Sequence, residues 1–282
     1  MKILVTGANG QLGSEIKVLA SNYPQFEFIF TDIEDFPLDK TDEIITNFKR
    51  IQPKIVINCA AYTAVDKAEQ DQQVADAINH IAIATLATLC KESEVKLIHI
   101  STDYVFDGTS PIAYKEDDQP NPKSVYGITK LAGETACLKN CPESIIIRTA
   151  WVYSEFGNNF VKTMLRLMSE RESLGVVNDQ VGSPTYAADL AQVILTILDS
   201  KKWQAGIYHY SNAGEISWYD FAQDIKEIAH KTCEIKGIPA SSYPTPAERP
   251  AYSLLDKSKI KAVYDIDAVD YKISLKKMMA RL

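Results

Sequence analysis

Short apolar runs alternate with stretches of helical periodicity, and this alternation is the feature that most restricts the fold of the chain. Most of the runs are continuously apolar, which is typical of parallel strands covered on both faces. The predicted strands are Lys2–Thr6, Glu27–Thr31, Ile55–Asn58, Lys96–Ser101, Ser144–Arg148 and Ile207–Ser211. The predicted helices between them are Gln11–Ala20, Thr41–Arg50, Val74–Glu92 and Val125–Asn140. This order predicts an α/β fold with a doubly wound parallel sheet.

Composition narrows the class of protein. The 282 residues are 46% hydrophobic and 24% charged, an ordinary balance for a globular protein, and the net charge is −7 without a long basic run. We therefore expect no nucleic-acid partner, because such surfaces need clustered Lys and Arg. No apolar stretch reads as a signal peptide or a membrane span, so no membrane partner is expected. Five cysteines without a CxxC pair are typical of free thiols, and a cytoplasmic location is expected.

A glycine-rich loop follows the first strand directly. The loop runs from Gly7 through Gly10 to Gly13, includes Gln11 and Leu12, and leads into a helix. Glycines permit a tight turn and the close approach of a pyrophosphate, while the helix N-terminus offers free N–H groups to that anion. A simple strand-to-helix turn is the alternative. The position of the loop favours a Rossmann-type dinucleotide-binding domain.

An acidic residue closes the second strand. Asp32 follows Thr31, where a carboxylate can accept hydrogen bonds from the adenosine ribose and repel a 2′-phosphate. A solvated strand-end Asp is the alternative. The expected cofactor is NADH or NADPH, with NADH accepted at least as well as NADPH.

After Thr149 the pattern becomes less regular. Helical stretches at 157–171, 187–198 and 217–230 are separated by short strand candidates and followed by a proline-punctuated tail. We expect a smaller C-terminal lobe that interleaves with the sheet. Residues 1–153 and 187–212 are assigned to the dinucleotide-binding domain, and residues 154–186 and 213–282 to a substrate-binding lobe.

Two segments suggest ketone reduction. Thr102 lies at the end of a predicted strand, where ligands bind in such sheets. Tyr126 and Lys130 are four residues apart on a predicted helix and share one face. Tyr126 can protonate a developing alkoxide, and a nearby Lys130 is expected to lower its pKa. A Tyr-x-x-x-Lys pair alone is most often a solvated pair on a helix. Together with the glycine loop and the strand-end Thr102, it predicts a catalytic set of Thr102, Tyr126 and Lys130.

The GxxGxxG spacing resembles the extended branch of the short-chain dehydrogenase/reductase superfamily. The segments 101–108, 126–134, 148–153, 157–160, 178–185 and 249–250 are similar to the dTDP-4-dehydrorhamnose reductase family nearly from end to end. The resemblance implies that Leu38 and Asp39 flank the adenine. It implies further cofactor contacts at Ala60, Ala61, Tyr62 and Thr63, and at Tyr126 and Lys130.

The same resemblance implies the substrate and its contacts. It implies reduction of the 4-keto group of dTDP-4-dehydro-L-rhamnose to dTDP-L-rhamnose, with Thr102 and Asp103 on the sugar and Trp151 packed against it. Arg249 can meet the nucleotide diphosphate, since a guanidinium matches phosphate oxygens in pairs. A core aromatic residue at Trp151 and a surface residue at Arg249 are the alternatives.

Some members of the family bind a divalent cation through acidic residues at a dimer interface. Glu15 matches one such position, but Ala188 stands near the place of a second acid, with Asp189 beside it. We therefore predict no metal, and a homodimer is one assembly that the resemblance allows. The histidines show no metal-ligand spacing, and His99 reads as a core histidine.

Two other functions stay open on the sequence. One is the reduction of another nucleotide 4-keto-deoxysugar. The other is a non-catalytic role like that of the regulatory subunit of methionine adenosyltransferase, which resembles this family. The set of Thr102, Tyr126 and Lys130 favours an enzyme.

Overall fold

The computed structural model describes residues 1–282 and contains twelve strands. Six of them form one parallel sheet in the order β10-β5-β4-β3-β1-β2. They are β1 Lys2–Thr6, β2 Glu27–Thr31, β3 Ile55–Asn58, β4 Lys96–Thr102, β5 Ile145–Thr149 and β10 Gly206–His209. The predicted α/β fold with a doubly wound sheet is therefore confirmed.

Helices cover both faces of this sheet and build two apolar cores. One core contains Ile3, Ile57 and Ile147 and is closed by α1 and α8. The other contains Leu4, Val56 and Ile146 and is closed by α2, α5 and α6. Alternate strand residues point to opposite faces, which explains why the predicted runs are apolar throughout. The helices of this part are α1 Gln11–Leu19, α2 Thr41–Ile51, α3 Val65–Ala68, α4 Gln72–Asp76, α5 Ala82–Glu92, α6 Val125–Asn140 and α8 Ala187–Asp199.

A third core lies in the C-terminal half. It is built around Phe221, Leu275 and Met278, with Val161 and Tyr186. Its strands pair two by two, β12 with β7, β11 with β8 and β6 with β9. They are β6 Val152–Tyr153, β7 Ser173–Val177, β8 Val181–Gly182, β9 Thr185–Tyr186, β11 Ile216–Ser217 and β12 Glu234–Ile238. Its helices are α7 Phe160–Glu170, α9 Trp218–Ile228 and α11 Tyr271–Met279.

This third core supports the predicted division into two lobes, which stays a proposal. One helix departs from that division. Helix α10, Ser258–Tyr264, falls in the segment 213–282, but its Ile260 and Tyr264 pack into the first core beside β10. Strand β10 is the edge of the sheet, and α10 covers apolar surface there.

Helix α7 begins later than the sequence suggests. Gly157 has a φ of +60°, outside the helical region, and the side chain of Asn159 accepts a hydrogen bond from the backbone N of Lys162 at 3.1 Å. Asn159 is thus the N-cap, and the helix starts at Phe160. The apolar spacing of the sequence is the same whether residues 157–159 are helical or precede the helix, so the pattern alone cannot locate the first helical residue.

The helical stretch Gln72–Glu92 contains a π-helical turn at Ala77–Ile81 between α4 and α5. By length and hydropathy it could cross a membrane, contrary to the sequence expectation that no stretch would. In the fold it packs on α6 and β4, with Leu86 and Cys90 completely buried. This position is that of a core helix of the sheet domain.

A buried ion pair fixes α6 to β5. The Arg148 guanidinium donates to both carboxylate oxygens of Glu134, with Nη2 to Oε2 at 2.7 Å, and each side chain is 2% exposed. Removing one charge of such a pair leaves the other buried without compensation. The orientation of α6 therefore depends on this contact.

We expect Glu134→Gln to lower the free energy of unfolding by about 3 kcal/mol, because the Arg148 charge stays buried. The matched control is Glu170→Gln in the exposed pair with Arg166, which should change stability by about 0.5 kcal/mol or less. Chemical denaturation of both variants measures the difference. Equal effects would show that burial of the pair is unimportant.

Candidate active site

A cavity of about 510 Å³ opens at the carboxyl ends of the parallel strands. Most of the residues predicted to bind a cofactor lie in its wall. They are Gly7, Gly10, Gln11, Leu12, Asp32, Leu38, Asp39, Ala60, Ala61, Thr63, Tyr126 and Lys130. The topology brings these distant segments together, since strands β1 to β4 all end at this edge of the sheet.

Two of the predicted cofactor residues shape the cavity from behind its wall. A Cβ on Gly13 would lie 2.3 Å from the carbonyl oxygen of Gly7, so glycine is needed for α1 to pack under the loop. Tyr62 donates from its hydroxyl to Asp71 at 2.8 Å and from its backbone N to Asn79 at 2.9 Å. Gly13 and Tyr62 hold the neighbouring loops in place, and their direct contact with the cofactor stays a prediction.

The residues present fit an adenine dinucleotide. Gly7 adopts a φ of +67°, and a Cβ there would lie 2.7 Å from Ala60, so the loop reaches the next strand end only with glycine. No side chain caps the N-terminus of α1, and its first turn contains no acidic residue. Its N–H groups and positive dipole end are thus available to a pyrophosphate.

Asp32 closes the loop from the second strand. Its two carboxylate oxygens accept hydrogen bonds from the backbone N of Asn9 at 2.7 Å and of Ile33 at 2.8 Å. The carboxylate is thereby held in the wall of the cavity, with a fixed position beside the glycine loop. A negative charge fixed there repels the 2′-phosphate on the adenosine ribose of NADPH.

Local contacts at the start of α6 position Tyr126. The Ser124 side chain caps the helix by accepting from Gly127 N at 3.2 Å, and Glu69 accepts from Val125 N at 2.9 Å. A Cβ on Gly127 would lie 2.2 Å from the carbonyl oxygen of Tyr104, so α6 approaches the turn after β4 only through glycine. This approach brings Tyr126 beside the end of β4.

Tyr126 is protonated at neutral pH. Burial raises its pKa to about 12; the Thr102 hydroxyl acts against this shift and the Asp103 carboxylate adds to it. The Lys130 ammonium donates to the carbonyl oxygen of Ile100 at 2.7 Å, and burial lowers the pKa of Lys130 to about 8. The expectation that Lys130 lowers the pKa of Tyr126 is therefore wrong for this structure, because the effect of burial prevails.

A buried polar chain stands behind Lys130. Thr6 Oγ1 donates to Asn58 Oδ1 at 2.6 Å, the Asn58 amide N lies 3.0 Å from His99 Nδ1, and His99 Nε2 lies 3.4 Å from Lys130 Nζ. Burial holds the pKa of His99 well below its usual range, so the ring is neutral. His99 is thus the core histidine that the sequence suggests, and Asn58 fixes its ring.

Thr102 and Asp103 form the turn at the end of β4. The Thr102 hydroxyl donates to Asp103 Oδ1 at 3.0 Å and accepts from Tyr104 N at 3.2 Å. Asp103 is 2% exposed, and burial raises its pKa to about 6. A buried carboxyl at this strand end suits contact with a polar ligand.

Trp151 lies between strands β5 and β6. Its φ is +49°, and its indole stacks on Trp218 of α9 with ring centroids 3.5 Å apart. Trp151 is partly buried and packs against a small core that contains Phe106 and Leu255, so substrate contact and a core role both stay open for it. The sequence does not predict a role for Trp218, because no motif distinguishes the first residue of α9.

Arg249 is not an isolated surface residue. It forms a two-point ion pair with Asp66, at 3.0 and 2.7 Å, and joins the C-terminal lobe to the sheet domain. Asp66 also escapes sequence analysis, because the two residues are 183 positions apart.

The acidic cluster around Glu15 does not form a cation site. Glu15 is completely buried and accepts from Ser154 at 2.7 Å, and the Arg281 guanidinium lies 3.7 Å from it and 2.9 Å from Glu155. The Asp189 carboxylate is engaged by Asn212 and Ser274. No group of three or more His, Cys, Asp and Glu side chains could hold a metal ion. A guanidinium already supplies positive charge there.

A dinucleotide-sized cavity, a glycine loop at a helix N-terminus and a buried tyrosine beside a threonine define an oxidoreductase of the short-chain dehydrogenase/reductase type. The family model described as RmlD substrate binding domain matches residues 1–282, and the chain belongs to this family.

Relatives and solved structures agree with this assignment. The dTDP-4-dehydrorhamnose reductase of Aggregatibacter actinomycetemcomitans is 39% identical, covering 99% of this chain and 98% of the relative. A crystal structure of the Clostridium acetobutylicum dTDP-4-dehydrorhamnose reductase superposes with a TM-score of 0.95 at 41% identity, covering 100% and 99% of the two chains. The Bacillus anthracis reductase, solved in complex with NADP, has a TM-score of 0.95 at 35% identity over 100% and 99% of the chains.

We expect the wild-type protein to use NADH at least as well as NADPH, because the Asp32 carboxylate opposes a 2′-phosphate. Asp32→Asn keeps the shape and removes the charge, and it should raise kcat/KM for NADPH relative to NADH by about tenfold, equivalent to roughly 1.4 kcal/mol. Steady-state kinetics with both cofactors measure the ratio. An unchanged ratio in the variant would show that Asp32 does not select the cofactor.

Proposed function

We propose that this chain reduces the 4-keto group of dTDP-4-dehydro-L-rhamnose with NADH or NADPH and forms dTDP-L-rhamnose. The observation that carries the proposal is the buried, protonated Tyr126 beside Thr102 at the end of the dinucleotide cavity. Full-length relatives named as dTDP-4-dehydrorhamnose reductases support it. A cytoplasmic location and a homodimer remain predictions.

The side chains divide the reaction between them. When bound, the reduced nicotinamide supplies a hydride to the carbonyl carbon. Tyr126 donates its phenolic proton to the carbonyl oxygen, so that the C=O double bond becomes a secondary alcohol and the phenolate is left on Tyr126. The Thr102 hydroxyl holds the same oxygen in line with the phenol. With its raised pKa, Tyr126 starts protonated at neutral pH, as a general acid must.

Lys130 lies one turn after Tyr126 on the same face of α6. Its ammonium is held against Ile100 O at the cavity wall, where it can donate to a ribose hydroxyl of the cofactor and stabilise the phenolate left on Tyr126. The second role concerns the product state and does not require a lowered pKa in the resting protein. We therefore assign Thr102, Tyr126 and Lys130 as the catalytic set.

The substrate lies toward the C-terminal lobe in this proposal. Asp103 accepts a hydrogen bond from a sugar hydroxyl, Trp151 packs against the sugar ring, and Arg249 meets the diphosphate. The stacked Trp218 keeps the Trp151 indole in place at the seam between the lobes.

One assay separates the proposal from its alternatives. Purified protein is mixed with NADH, and oxidation is followed before and after addition of dTDP-4-dehydro-L-rhamnose or another nucleotide 4-keto sugar. Oxidation only with the dTDP-linked rhamnose precursor supports the proposal, whereas preference for a different keto sugar corrects the substrate. Absence of oxidation with every keto sugar would leave the non-catalytic role.

We expect Tyr126→Phe to fold and to bind NADH, since the change removes one oxygen and little volume. Turnover should fall by roughly 100- to 10,000-fold because general acid catalysis is lost. Single-turnover kinetics and NADH titration measure both properties. Near-wild-type reduction by a folded variant would assign the proton to Thr102 or to water.

We expect Lys130→Met to lower kcat and to raise the KM for the cofactor, in contrast to Tyr126→Phe. The pKa of about 8 means that Lys130 carries its charge below this pH and loses it above. In the wild type, kcat/KM for the cofactor should therefore fall as the pH rises through about 8, and Lys130→Met should lack this limb. If kcat/KM falls in the same way above this pH in both proteins, a group other than Lys130 causes the fall.

A further inference from the structure

The short helix α3 contacts three parts of the site at once. It follows the cofactor loop that ends at Thr63. Glu69, directly after it, accepts a hydrogen bond from Val125 N at the start of the catalytic helix α6. On α3 itself, Asp66 reaches the C-terminal lobe and pairs with Arg249. The helix thus joins the cofactor loop, the catalytic helix and the arginine that is proposed to meet the diphosphate.

Asp66 fixes Arg249 in two ways. Its two carboxylate oxygens accept from the two terminal nitrogens of the guanidinium, Nη1 at 3.0 Å and Nη2 at 2.7 Å. Asp66 Oδ1 also accepts from the backbone N of Ala247 at 3.2 Å, while Arg249 Nη1 donates to the carbonyl oxygen of Ala247 at 3.3 Å. The carboxylate therefore holds both the guanidinium and the backbone segment that carries it.

One edge of the guanidinium remains available. Asp66 occupies the edge formed by Nη1 and Nη2, and Nε donates to no protein acceptor. Nε and the second N–H of Nη2 form a parallel pair of donors, the geometry that matches two oxygens of a phosphate. The Arg249 side chain is partly buried, with 25% of its surface exposed. Asp66 and an anionic ligand can thus use different edges of the same guanidinium.

We infer that Asp66 is a positioning residue for substrate binding: it orients Arg249 so that the free Nε–Nη2 edge receives the diphosphate of the nucleotide sugar. The inference rests on the proposed function for the identity of the ligand. Arg side chains lose rotamer freedom on binding, and a guanidinium that is already held loses less. A partly exposed ion pair adds little to stability by itself, so we expect loss of the Asp66 charge to change binding more than melting temperature.

The test is binding of dTDP, which requires no turnover. Asp66→Asn keeps the size and removes the charge that orients Arg249. We expect calorimetry to show dTDP binding weakened about tenfold, equivalent to roughly 1.4 kcal/mol. The KM for the keto-sugar nucleotide should rise by a similar factor, while kcat, NADH affinity and melting temperature stay near wild type. Asp66→Glu should recover part of the loss.

Two further variants separate positioning from a general charge effect. Asp76→Asn is the matched control, because Asp76 is 43% exposed, close to the 41% of Asp66, and pairs with His80 instead of Arg249. It should leave dTDP binding unchanged. In the double variant Asp66→Asn/Arg249→Ala, the loss should equal that of Arg249→Ala alone, because Asp66 acts only through Arg249.

Several results would overturn the inference. The inference is wrong if Asp66→Asn leaves dTDP binding unchanged, or if the losses in the double variant are additive. It is also wrong if Asp66→Asn binds dTDP more tightly, which would show that Asp66 competes with the ligand. If the wild type binds UDP or GDP instead of dTDP, the proposed substrate is wrong and Asp66→Asn is compared with that nucleotide. If it binds no nucleoside diphosphate, the inference fails as well.

Discussion

The arrangement of the site depends on the burial of the Lys130 ammonium, which must be surrounded by polar groups. A cation in the interior is costly unless polar groups surround it, and here Ile100 O and His99 lie against it. His99 is held in turn by Asn58, and Asn58 by Thr6. One polar chain therefore joins the ends of β1, β3 and β4 to α6. The glycine loop follows directly on Thr6, so the cofactor site and the catalytic helix share a common support.

Burial assigns different protonation states to the groups around this centre. The pKa of Tyr126 rises to about 12, which keeps the proton that a reduction consumes. The pKa of Asp103 rises only to about 6, because the Ser253 and Thr102 hydroxyls oppose the effect of burial, and it remains an acceptor at neutral pH. Two neighbouring groups are thereby suited to the proposed roles of donor and acceptor.

The apolar core around Phe221 in the C-terminal half is joined to the rest of the protein through aromatic and charged contacts. Trp151 stacks on Trp218, Arg249 pairs with Asp66, and Arg281 contacts Glu15. Each contact joins residues that are far apart in the chain. In the Glu15 cluster, the Arg281 guanidinium supplies positive charge beside the carboxylates of Glu15 and Glu155.

Much of the fold follows from the sequence alone. The strands of the main sheet, the glycine loop and the Tyr126–Lys130 spacing are local patterns, because the periods of strands and helices and the steric freedom of glycine act over a few residues. Tertiary structure decided the rest. The pKa of Tyr126 depends on its burial, and the start of α7 depends on the Asn159 cap. The contacts of Trp218 and Asp66 depend on partners that lie 67 and 183 positions away in the chain. Such contacts arise only when the lobes pack, since no local pattern in the sequence encodes which distant side chains will meet.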